Sequence, residues 1–503
     1  MQKALNPWWT LAALTLPVLI ISMDNTVLSF TVPELSEAIE PTSSQLLWIV
    51  DVYSFVLAGL LVTMGSLGDR VGRRRLLMIG SFGFLVASVA AAMSTTAPQL
   101  IAARALLGIA GATLLPSTLS IIRNVFTEPR KRQTAVAIWA SIFAAGGALG
   151  PIVGGFLLEH YWYGSVFLIA VPVTIALLVL GPFLVPESRD PSPGPFDIPS
   201  SLLSFAALVP VVYAVKVFAE KGPELISLVT LVVGVVCGVL FLRRQRRLAD
   251  PMIDVELFRL PRFRAAVTAS LVGCFSFAGS MFMLTQYLQL VVGQSPAEAA
   301  LWLVPGVVVS IFCTLAAPAA AHRVGPFTVV AIGLGLISFG FIVLLTLTST
   351  GSVAPVVIAL VAMNAGFGGV GAVTIDAILS SVPPERAGAG AAVSETCNEL
   401  GIALGTALLG SAVTLVYRRR LDSVPGVSAE ALDHARETLG AASASAEQLG
   451  GTAGAALQQA ADVAFTNGVR VASVLGALVA AAATVMTIRG LRSTDVNPDA
   501  VRV

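Results

Sequence analysis

Charged residues are scarce in this sequence. Asp, Glu, Lys and Arg make up only 12% of its 503 residues, whereas hydrophobic residues make up 56%. A soluble domain does not bury so large an apolar fraction, but a protein that crosses a lipid bilayer many times requires it. The formal net charge is +1, so the sequence also lacks the basic surplus that nucleic-acid binding needs. We therefore expect a membrane protein that has the lipid bilayer, and no nucleic acid, as a partner.

Several chemical features are also absent or sparse. The four cysteines lie far apart in apolar runs and have no histidine neighbours, at Cys237, Cys274, Cys313 and Cys397. This arrangement excludes a disulfide framework and a metal site. The sequence has no Walker motif, so any transport must draw on an ion gradient. We expect neither enzymatic activity nor a bound cofactor.

What the sequence does contain is a series of apolar runs, each about the 20 residues that a span needs. The first is too long for the core of a cleaved signal peptide and is expected to remain as a span. The fourteen runs lie near 8–33, 45–67, 76–95, 98–122, 134–158, 163–186, 199–218, 225–244, 265–291, 298–321, 327–347, 354–380, 388–416 and 466–488. With the N-terminus inside, the cytoplasmic segments hold 22 of the 30 Lys and Arg residues. This bias predicts an all-α membrane protein with fourteen spans and both termini in the cytoplasm.

The second half of the chain echoes the first. The run 322–325 matches 69–72 at an offset of 253, and Ala403, Leu404, Gly405 and Gly410 match their counterparts in 148–155 at an offset of 255. Two matches at nearly one offset predict duplicated six-span bundles of parallel orientation. We expect bundles at 1–190 and 251–503, with two inserted helices and a linker at 191–250.

The outer loop 417–465 is unusual because it is long and rich in alanine. Its charges at 430–437 have helical spacing, and glycines interrupt it at Gly440 and at Gly450-Gly451. We expect a short helical hairpin outside the membrane. An exit lid and a segment without a transport role are both open.

A turn dense in glycine and arginine separates the second and third spans. It contains Gly65, Asp69, Arg70, Gly72 and Arg73. The arginines place the turn in the cytoplasm, and the glycines let two helices pass closely. A plain topology anchor explains the arginines but not the glycines or Asp69. We expect a gate in which Asp69 pairs with arginines of the turn and braces the neighbouring half. The spacing Gly-x-x-x-Asp-Arg-x-Gly-Arg-Arg resembles the loop signature of the major facilitator superfamily of transporters.

Span five is rich in glycine on one helical face. Small residues four apart let helices pack closely in lipid, and a proline introduces a bend. The shared face carries Gly146, Gly150 and Gly154, the adjacent face carries Gly155, and Pro151 supplies the bend. Helix packing explains this pattern in part. The pattern also resembles the signature of drug/proton antiporters within the superfamily, and we interpret it as a conformational element.

Ionisable residues inside spans are costly and are by default functional. Asp24, Asp51 and Arg104 fall at a similar depth in the outer half of one bundle. Two carboxylates near an arginine can share a mobile proton, because the arginine does not titrate. A static ion pair between helices is the alternative. Asp376 lies near a span end and could pair with Arg323 or Arg386.

Glu395 and Glu399 lie four residues apart on span thirteen, so they share one helical face. No basic residue in the apolar stretch of that span compensates them, and a bound cation would relieve their repulsion. We interpret them as the cation site. A structural pair and a second proton-coupling pair are the alternatives.

Aromatic residues near these charges suit a cavity for flat cations. The candidates for the lining, besides Asp51, are Tyr53, Phe282, Tyr287 and Gln289. The alternative is that these residues face lipid or belong to the core of the protein.

Around these residues the chain resembles the fourteen-span drug:proton antiporter family, of the QacA, SmvA and LfrA type, and most of all the LfrA-like mycobacterial pumps. The resemblance covers essentially the whole chain and rests on the run Trp48 to Tyr53, on Arg104, Gly108 and Gly111, on Tyr287, Leu288 and Gln289, and on Glu395 and Glu399. The run 28–33 departs from the family pattern, which leaves the lining of span one open.

The resemblance implies a bacterial inner-membrane antiporter that uses protons to export lipophilic cations, namely quaternary ammonium compounds, intercalating dyes and also fluoroquinolones. In that family the span-one acid, here Asp24, is implicated in coupling. The resemblance further implies a monomer whose partners are protons and small molecules. An exporter of lipid or cell-envelope components on the same fold is the alternative, since a fold does not fix a function.

Overall fold

The computed structural model describes residues 6–39, 41, 43–189, 197–221, 224–248, 251–294, 296–349, 351–421, 424–436 and 438–494. These residues form helices and no strand. The helices are α1 Pro7–Ile39, α2 Ser43–Val71, α3 Arg73–Ala92, α4 Ala97–Val125, α5 Pro129–His160, α6 Ser165–Leu168, α7 Ala170–Leu184, α8 Ile198–Lys221, α9 Leu225–Gln245, α10 Pro261–Gln286, α11 Pro296–Val324, α12 Pro326–Leu344, α13 Ala354–Ser380, α14 Ala387–Arg420, α15 Ala429–Ala435, α16 Leu439–Leu449 and α17 Gly451–Thr494. A π-helical turn, Tyr287–Val291, continues α10. The all-helical fold class is confirmed.

Thirteen helical stretches in the described part of the chain are long and apolar enough to cross a membrane. Helix α5, where we expected span five, is not among them. The number of fourteen spans and the cytoplasmic position of the termini therefore stay predictions.

The chain divides into two compact units. Unit one comprises Met1–Ala214, Leu228–Val267 and Ala372–Glu399. Unit two comprises Val215–Ser227, Thr268–Gly371 and Leu400–Val503. Helices α13 and α14 thus contribute one part to each unit. The expected boundary between the first bundle and the inserted pair, at 190–196, lies outside the described residues.

The first sequence match has a counterpart in the backbone. Gly72 follows α2 and caps α3 with φ +116°, and Gly325 follows α11 and caps α12 with φ +90°. Residues with a Cβ rarely adopt this conformation, which explains why both positions hold glycine. The two positions correspond at the offset that the sequence match predicts.

The second match has a counterpart in helix packing. A Cβ at Gly146 of α5 would lie 2.8 Å from the carbonyl oxygen of Leu19 in α1. A Cβ at Gly401 of α14 would lie 2.6 Å from the carbonyl oxygen of Leu271 in α10. In each unit, therefore, two long helices pack so closely at a glycine that a Cβ atom at this position would clash with the backbone of the other helix. Gly146 and Gly401 are related by the offset of 255 that the match predicts.

The inserted helices α8 and α9 are joined at one end by a polar contact. Arg244 donates two hydrogen bonds to Asp197, at 2.8 and 3.0 Å. The hydrogen bonds from Arg244 lower the pKa of Asp197. The pair packs on α2, where a Cβ at Gly59 would lie 2.8 Å from the ring of Phe205. The inserted helices are therefore attached to unit one through α2.

The hairpin expected in 417–465 is present, but one boundary was wrong. Gly440 lies inside α16, whose N-cap is Thr438, because the Thr438 hydroxyl accepts a hydrogen bond from the Ala441 amide at 3.1 Å. The interruption at Gly450-Gly451 is confirmed, with φ of +60° and +54°. From Gly451 onward the expected loop is already the start of α17. The last span is thus the end of a much longer helix.

Candidate functional site

A buried ion pair joins α1 to α4. Arg104 Nη1 lies 2.6 Å from Asp24 Oδ2, and the two side chains are only 2% and 9% exposed. Arg104 Nε also donates to the carbonyl oxygen of Ile49 in α2 at 3.3 Å. The expectation that Asp24 and Arg104 meet is confirmed. Three helices of unit one are therefore held around one guanidinium group.

Asp51 lies on α2 between the two residues that touch Arg104. Ile49 and Tyr53 are four residues apart and share a face of the helix, on which Tyr53 places its ring centre 4.6 Å from Arg104 Cζ. Asp51 is two residues from each, so it belongs to a different face of α2. It is buried, at 5% exposure. The shared proton site of Asp24, Asp51 and Arg104 stays a prediction.

Tyr53 is completely buried in unit one. Its hydroxyl has no hydrogen-bond partner among the described residues. Its predicted role in the lining of the substrate site stays a prediction.

The glutamate pair lies in the part of α14 that belongs to unit one. Glu395 is 2% exposed and is hydrogen-bonded to Asn398, and its Oε1 has no partner in the part of the chain that the structure describes. Glu399 is partly exposed. The i,i+4 spacing places both carboxylates on one face of α14. Repulsion between them and cation binding both stay predictions.

The glycine–arginine turn forms a compact polar contact with the start of α14. Asp69 accepts hydrogen bonds from Arg73 Nη2 at 2.6 Å and from the amides of Gly388 at 3.0 Å and Ala389 at 3.2 Å. A carboxylate at a helix N-terminus satisfies amides that have no partner within the helix. The expected pairing of Asp69 with an arginine of the turn is confirmed. Arg70 is half-buried at the end of α2.

Arg73 extends this contact to the turn before α14. It is 1% exposed, and its Nη2 donates to the carbonyl oxygens of Pro384 at 2.9 Å and Glu385 at 2.8 Å. Gly65 allows the approach, since a Cβ there would lie 2.5 Å from the carbonyl oxygen of Gly388. The glycine of α2 therefore serves packing on α14.

Sequence reasoning missed Glu187, which caps α3 from the chain segment after α7. Its carboxylate accepts hydrogen bonds from the amides of Arg74 at 3.0 Å and Arg75 at 3.2 Å. A Cβ at Gly72 would lie 2.9 Å from Glu187 Oε1, so this cap also depends on glycine. An acidic residue directly after an apolar run was the available signal.

A further buried ion pair of unit one was also missed. Arg132 Nε, at the start of α5, lies 2.7 Å from Asp376 Oδ1 in α13, with both side chains less than 10% exposed. Arg132 Nη2 also donates to Ser380 Oγ at 2.8 Å. The expectation that Asp376 pairs with Arg323 or Arg386 is wrong. The correct partner lies 244 residues away in the chain, which sequence spacing does not reveal.

The glycines of α5 differ in their surroundings. Gly146, Gly150 and Gly154 all face α1, near Leu19, Met23 and Val27. Gly155 has nothing within 4 Å of a Cβ position. The expected common face is confirmed as a packing face. The side chain of Pro151 lies outside the described residues, as do most side chains of the divergent run 28–33.

The predicted lining residues of α10 belong to unit two and have unequal exposure. Phe282 is 45% exposed and packs against Gly410. Tyr287 is fully buried and donates a hydrogen bond to the carbonyl oxygen of Thr348 at 2.6 Å. Gln289 is half-buried in the π-helical turn. Tyr287 therefore packs within unit two, and its role in the lining stays a prediction.

Long apolar helices, closely packed glycine faces and ion pairs enclosed among the helices are features of membrane transporters. The chain matches the family model of the Major Facilitator Superfamily over residues 14–406. It belongs to that superfamily, and it is a transporter rather than an enzyme.

Relatives resemble this chain over nearly its whole length. The multidrug efflux pump LfrA of Mycolicibacterium smegmatis is 48% identical over 482 residues, which cover 96% of each chain. The methyl viologen resistance protein SmvA of Salmonella typhimurium is 35% identical over 91% of this chain and 93% of its own. The tetracenomycin C resistance and export protein of Streptomyces glaucescens is 31% identical over 85% and 79%. The chain is thus a multi-pass protein of the bacterial inner membrane.

A solved structure shows the same fold. The human organic anion transporter MFSD10 superposes with a TM-score of 0.61, covering 94% of this chain and 99% of its own. Only 14% of the residues are identical, so this similarity concerns the fold alone.

Proposed function

We propose that this protein is a proton-coupled multidrug efflux antiporter for lipophilic cations, such as quaternary ammonium compounds, intercalating dyes and fluoroquinolones. The observation that carries the proposal is the presence of two acidic groups in unit one, Asp24 with Arg104 and Glu395 with Glu399. Acidic sites of this kind suit the roles of two relatives, LfrA as a multidrug efflux pump and SmvA as a methyl viologen resistance protein.

Asp24 is suited to carry the proton. The guanidinium of Arg104 remains protonated, so proton binding must occur on the carboxylate. When Asp24 takes a proton, the ion pair with Arg104 loses its charge attraction and α1 is freed from α4. Proton occupancy is thereby converted into a change in helix packing.

The glutamate pair is suited to attract the cation. Repulsion between two carboxylates at low dielectric is relieved when a positive charge arrives. Glu399 is partly exposed to solvent, whereas Glu395 is buried. A monovalent cation therefore meets Glu399 first, and a dication can use both.

The contact of Asp69 and Arg73 with α14 serves in this proposal as the inner gate. It consists of a few hydrogen bonds and an ion pair, which can break and reform without disturbing the apolar core. We further propose that protons, the cationic substrate and the bilayer are the partners, that the protein acts as a monomer, and that it uses no cofactor.

The test is ethidium transport by purified protein in proteoliposomes with an imposed pH gradient. We expect ethidium to move against its own gradient only when protons flow the other way, and to stop when an ionophore collapses the pH difference. Transport that ignores the pH gradient would refute proton coupling. Inertness toward every cation tested, with transport of a labelled lipid instead, would favour export of lipid or envelope components.

A further inference from the structure

Helices α1 and α5 of unit one pack closely at their middle and separate toward their first residues. At the close approach, a Cβ at Gly146 would lie 2.8 Å from the carbonyl oxygen of Leu19. Toward the start of α5 the same row of positions holds Ile142 and Ile138 in place of glycine. Side chains of this size keep two helix axes farther apart than glycine does. A cleft of about 290 Å³ lies between the two helices there.

The wall of this cleft is apolar apart from one hydroxyl, and the described residues that form it include no acidic side chain. They are Trp8, Leu11, Ala12, Thr15, Ile138 and Ile142. The Thr15 hydroxyl already donates to the carbonyl oxygen of Ala12 at 2.8 Å. A charged ligand buried in the cleft would lack an acidic partner, whereas a hydrocarbon chain requires none. The composition of the cleft therefore favours an acyl chain over a cation.

Basic side chains lie beyond one end of the cleft, at the start of α5. Lys131 lies seven residues before Ile138 and eleven before Ile142, so all three share one face of the helix. It is 59% exposed and lies 2.8 Å from Glu128, which is 52% exposed. An exposed pair of this kind contributes little and can exchange its partner. Arg130 beside it is also exposed. Positive charge and apolar cleft thus follow each other along α5, separated by about 10 Å.

A phospholipid carries its charge and its chains in this same order along the membrane normal. On the predicted topology, the first residues of α1 and α5 face the cytoplasm. Trp8 and Trp9, which are 40% and 62% exposed, begin α1 there, and exposed tryptophans are typical of the level of the lipid headgroups. Basic groups beside a groove between membrane helices suit an anionic headgroup.

We propose that the cleft between α1 and α5 binds an anionic phospholipid of the inner leaflet. One acyl chain lies between the two helices, and the phosphate lies at Lys131 and Arg130. The bound chain joins α1 to α5 at the end where they otherwise separate, so lipid binding stabilises unit one. The inference depends neither on the transported substrate nor on proton coupling.

The test measures the melting temperature of the purified full-length protein in dodecyl maltoside micelles. Palmitoyl-oleoyl phosphatidylglycerol, which is anionic, is compared with the zwitterionic phosphatidylcholine that has the same chains. We expect the anionic lipid to stabilise the wild type at a concentration about 25-fold lower, since each of two basic residues near an anionic headgroup contributes about 5-fold. This preference should shrink when the salt concentration rises to about 1 M, because the Debye length falls to about 3 Å.

The charge is tested by the double variant Arg130→Gln with Lys131→Gln, in which we expect the preference for the anionic lipid to disappear. Arg259→Gln with Arg262→Gln is the matched control, because it removes two exposed basic residues near the start of α10. The control should keep the wild-type preference. Glu128→Gln should strengthen binding of the anionic lipid by about 2- to 5-fold, since it frees Lys131 from its acidic partner.

The cleft is tested separately by Ala12→Leu, which fills part of it and changes no charge. Ala12 is exposed on α1, and leucine is a good helix former, so the fold should tolerate the change. We expect both lipids to bind more weakly, with a melting temperature in the absence of lipid that is at least that of the wild type. The two kinds of variant thus separate the headgroup from the chain.

Three results would overturn the inference. Equal effects of the two lipids on the wild type would reject an anionic ligand. Stabilisation by phosphatidylglycerol that survives both the double basic variant and Ala12→Leu would place the lipid elsewhere on the protein. Ethidium that displaces phosphatidylglycerol from the wild type, and binds more weakly to Ala12→Leu, would make the cleft a drug site instead. None of these readings uses transport, so a failure of the proposed antiport would leave them unchanged.

Discussion

Arg104 of α4 donates a hydrogen bond of 2.6 Å to Asp24 of α1, and both side chains are buried. The permanent positive charge of the arginine attracts the carboxylate. The same contact ties two helices of unit one together. Any event that neutralises Asp24 therefore changes both the charge balance and the packing of the site.

Asp24→Asn should abolish pH-driven transport and leave some cation binding. Asparagine keeps the shape of the side chain but cannot exchange a proton, and Arg104 remains charged. Removing one partner of a buried pair costs about 3–5 kcal/mol, so we also expect a lower melting temperature. Proteoliposome efflux and dye binding measure the two effects separately. If Asp24→Asn and Asp51→Asn both pump as wild type, the proton carrier lies elsewhere.

Glu399→Gln should impair dicationic substrates more than monocationic ones, and Glu395→Gln should be a milder version. A dication uses both carboxylates, while a monocation requires only one. Resistance profiles with matched mono- and bis-quaternary compounds, at equal expression, measure the difference. Glu256→Gln is the control, because Glu256 is 75% exposed in an i,i+3 surface pair. Equal losses for both classes would point to proton coupling by the pair, and no loss would make it structural.

Asp69→Asn should leave the protein inserted but slow its transport severely. The change removes the charge that holds Arg73 and weakens the bonds to the Gly388 and Ala389 amides. We expect turnover to fall at least about 10-fold, which corresponds to about 1.4 kcal/mol in the barrier. Asp433→Asn, at a side chain that is 73% exposed, is the matched control. Near-normal turnover of Asp69→Asn would indicate that the turn serves only as a topology anchor.

The buried pair of Arg132 and Asp376 should contribute to the stability of the protein, whereas the neighbouring exposed pair of Lys131 and Glu128 should not. In a double-mutant cycle with Arg132→Gln and Asp376→Asn we expect a coupling free energy of about 1–3 kcal/mol. The control cycle uses Lys131 and Glu128, which lie 2.8 Å apart but are 59% and 52% exposed. We expect no more than about 0.5 kcal/mol there. Equal coupling in the two cycles would contradict the role assigned to burial.

Two glycines of α5 should respond differently to the same substitution. Gly146→Ala should lower the melting temperature, because overpacking costs about 1–3 kcal/mol and the new Cβ meets the backbone of Leu19. Gly155→Ala should be neutral or stabilising by about 0.5–1 kcal/mol, because its Cβ meets nothing within 4 Å. Thermal unfolding of the two purified variants decides the matter. A smaller loss for Gly146→Ala than for Gly155→Ala would contradict the packing face.

The fold class and most of the places where the chain turns could be predicted from the amino-acid sequence alone. Apolar runs locate the helices because lipid leaves the backbone no partner outside the helix. Gly72 and Gly325 could be matched because a cap with positive φ restricts the residue type locally. The common face of Gly146, Gly150 and Gly154 also followed from sequence, since helical periodicity is a local property.

Which charged residues form pairs could be seen only in the folded protein. Depth estimates place Asp24 and Arg104 at the same depth in the membrane. They could not show that the face of α2 at Arg104 is the one with Ile49 and Tyr53, and not the one with Asp51. Arg132 and Asp376 are far apart in the chain, and Glu187 caps a helix that begins at Arg73. Such pairings depend on how helices are arranged around one another, and several arrangements satisfy the same hydropathy pattern. The full burial of Tyr53, with its ring beside Arg104, also depends on that arrangement.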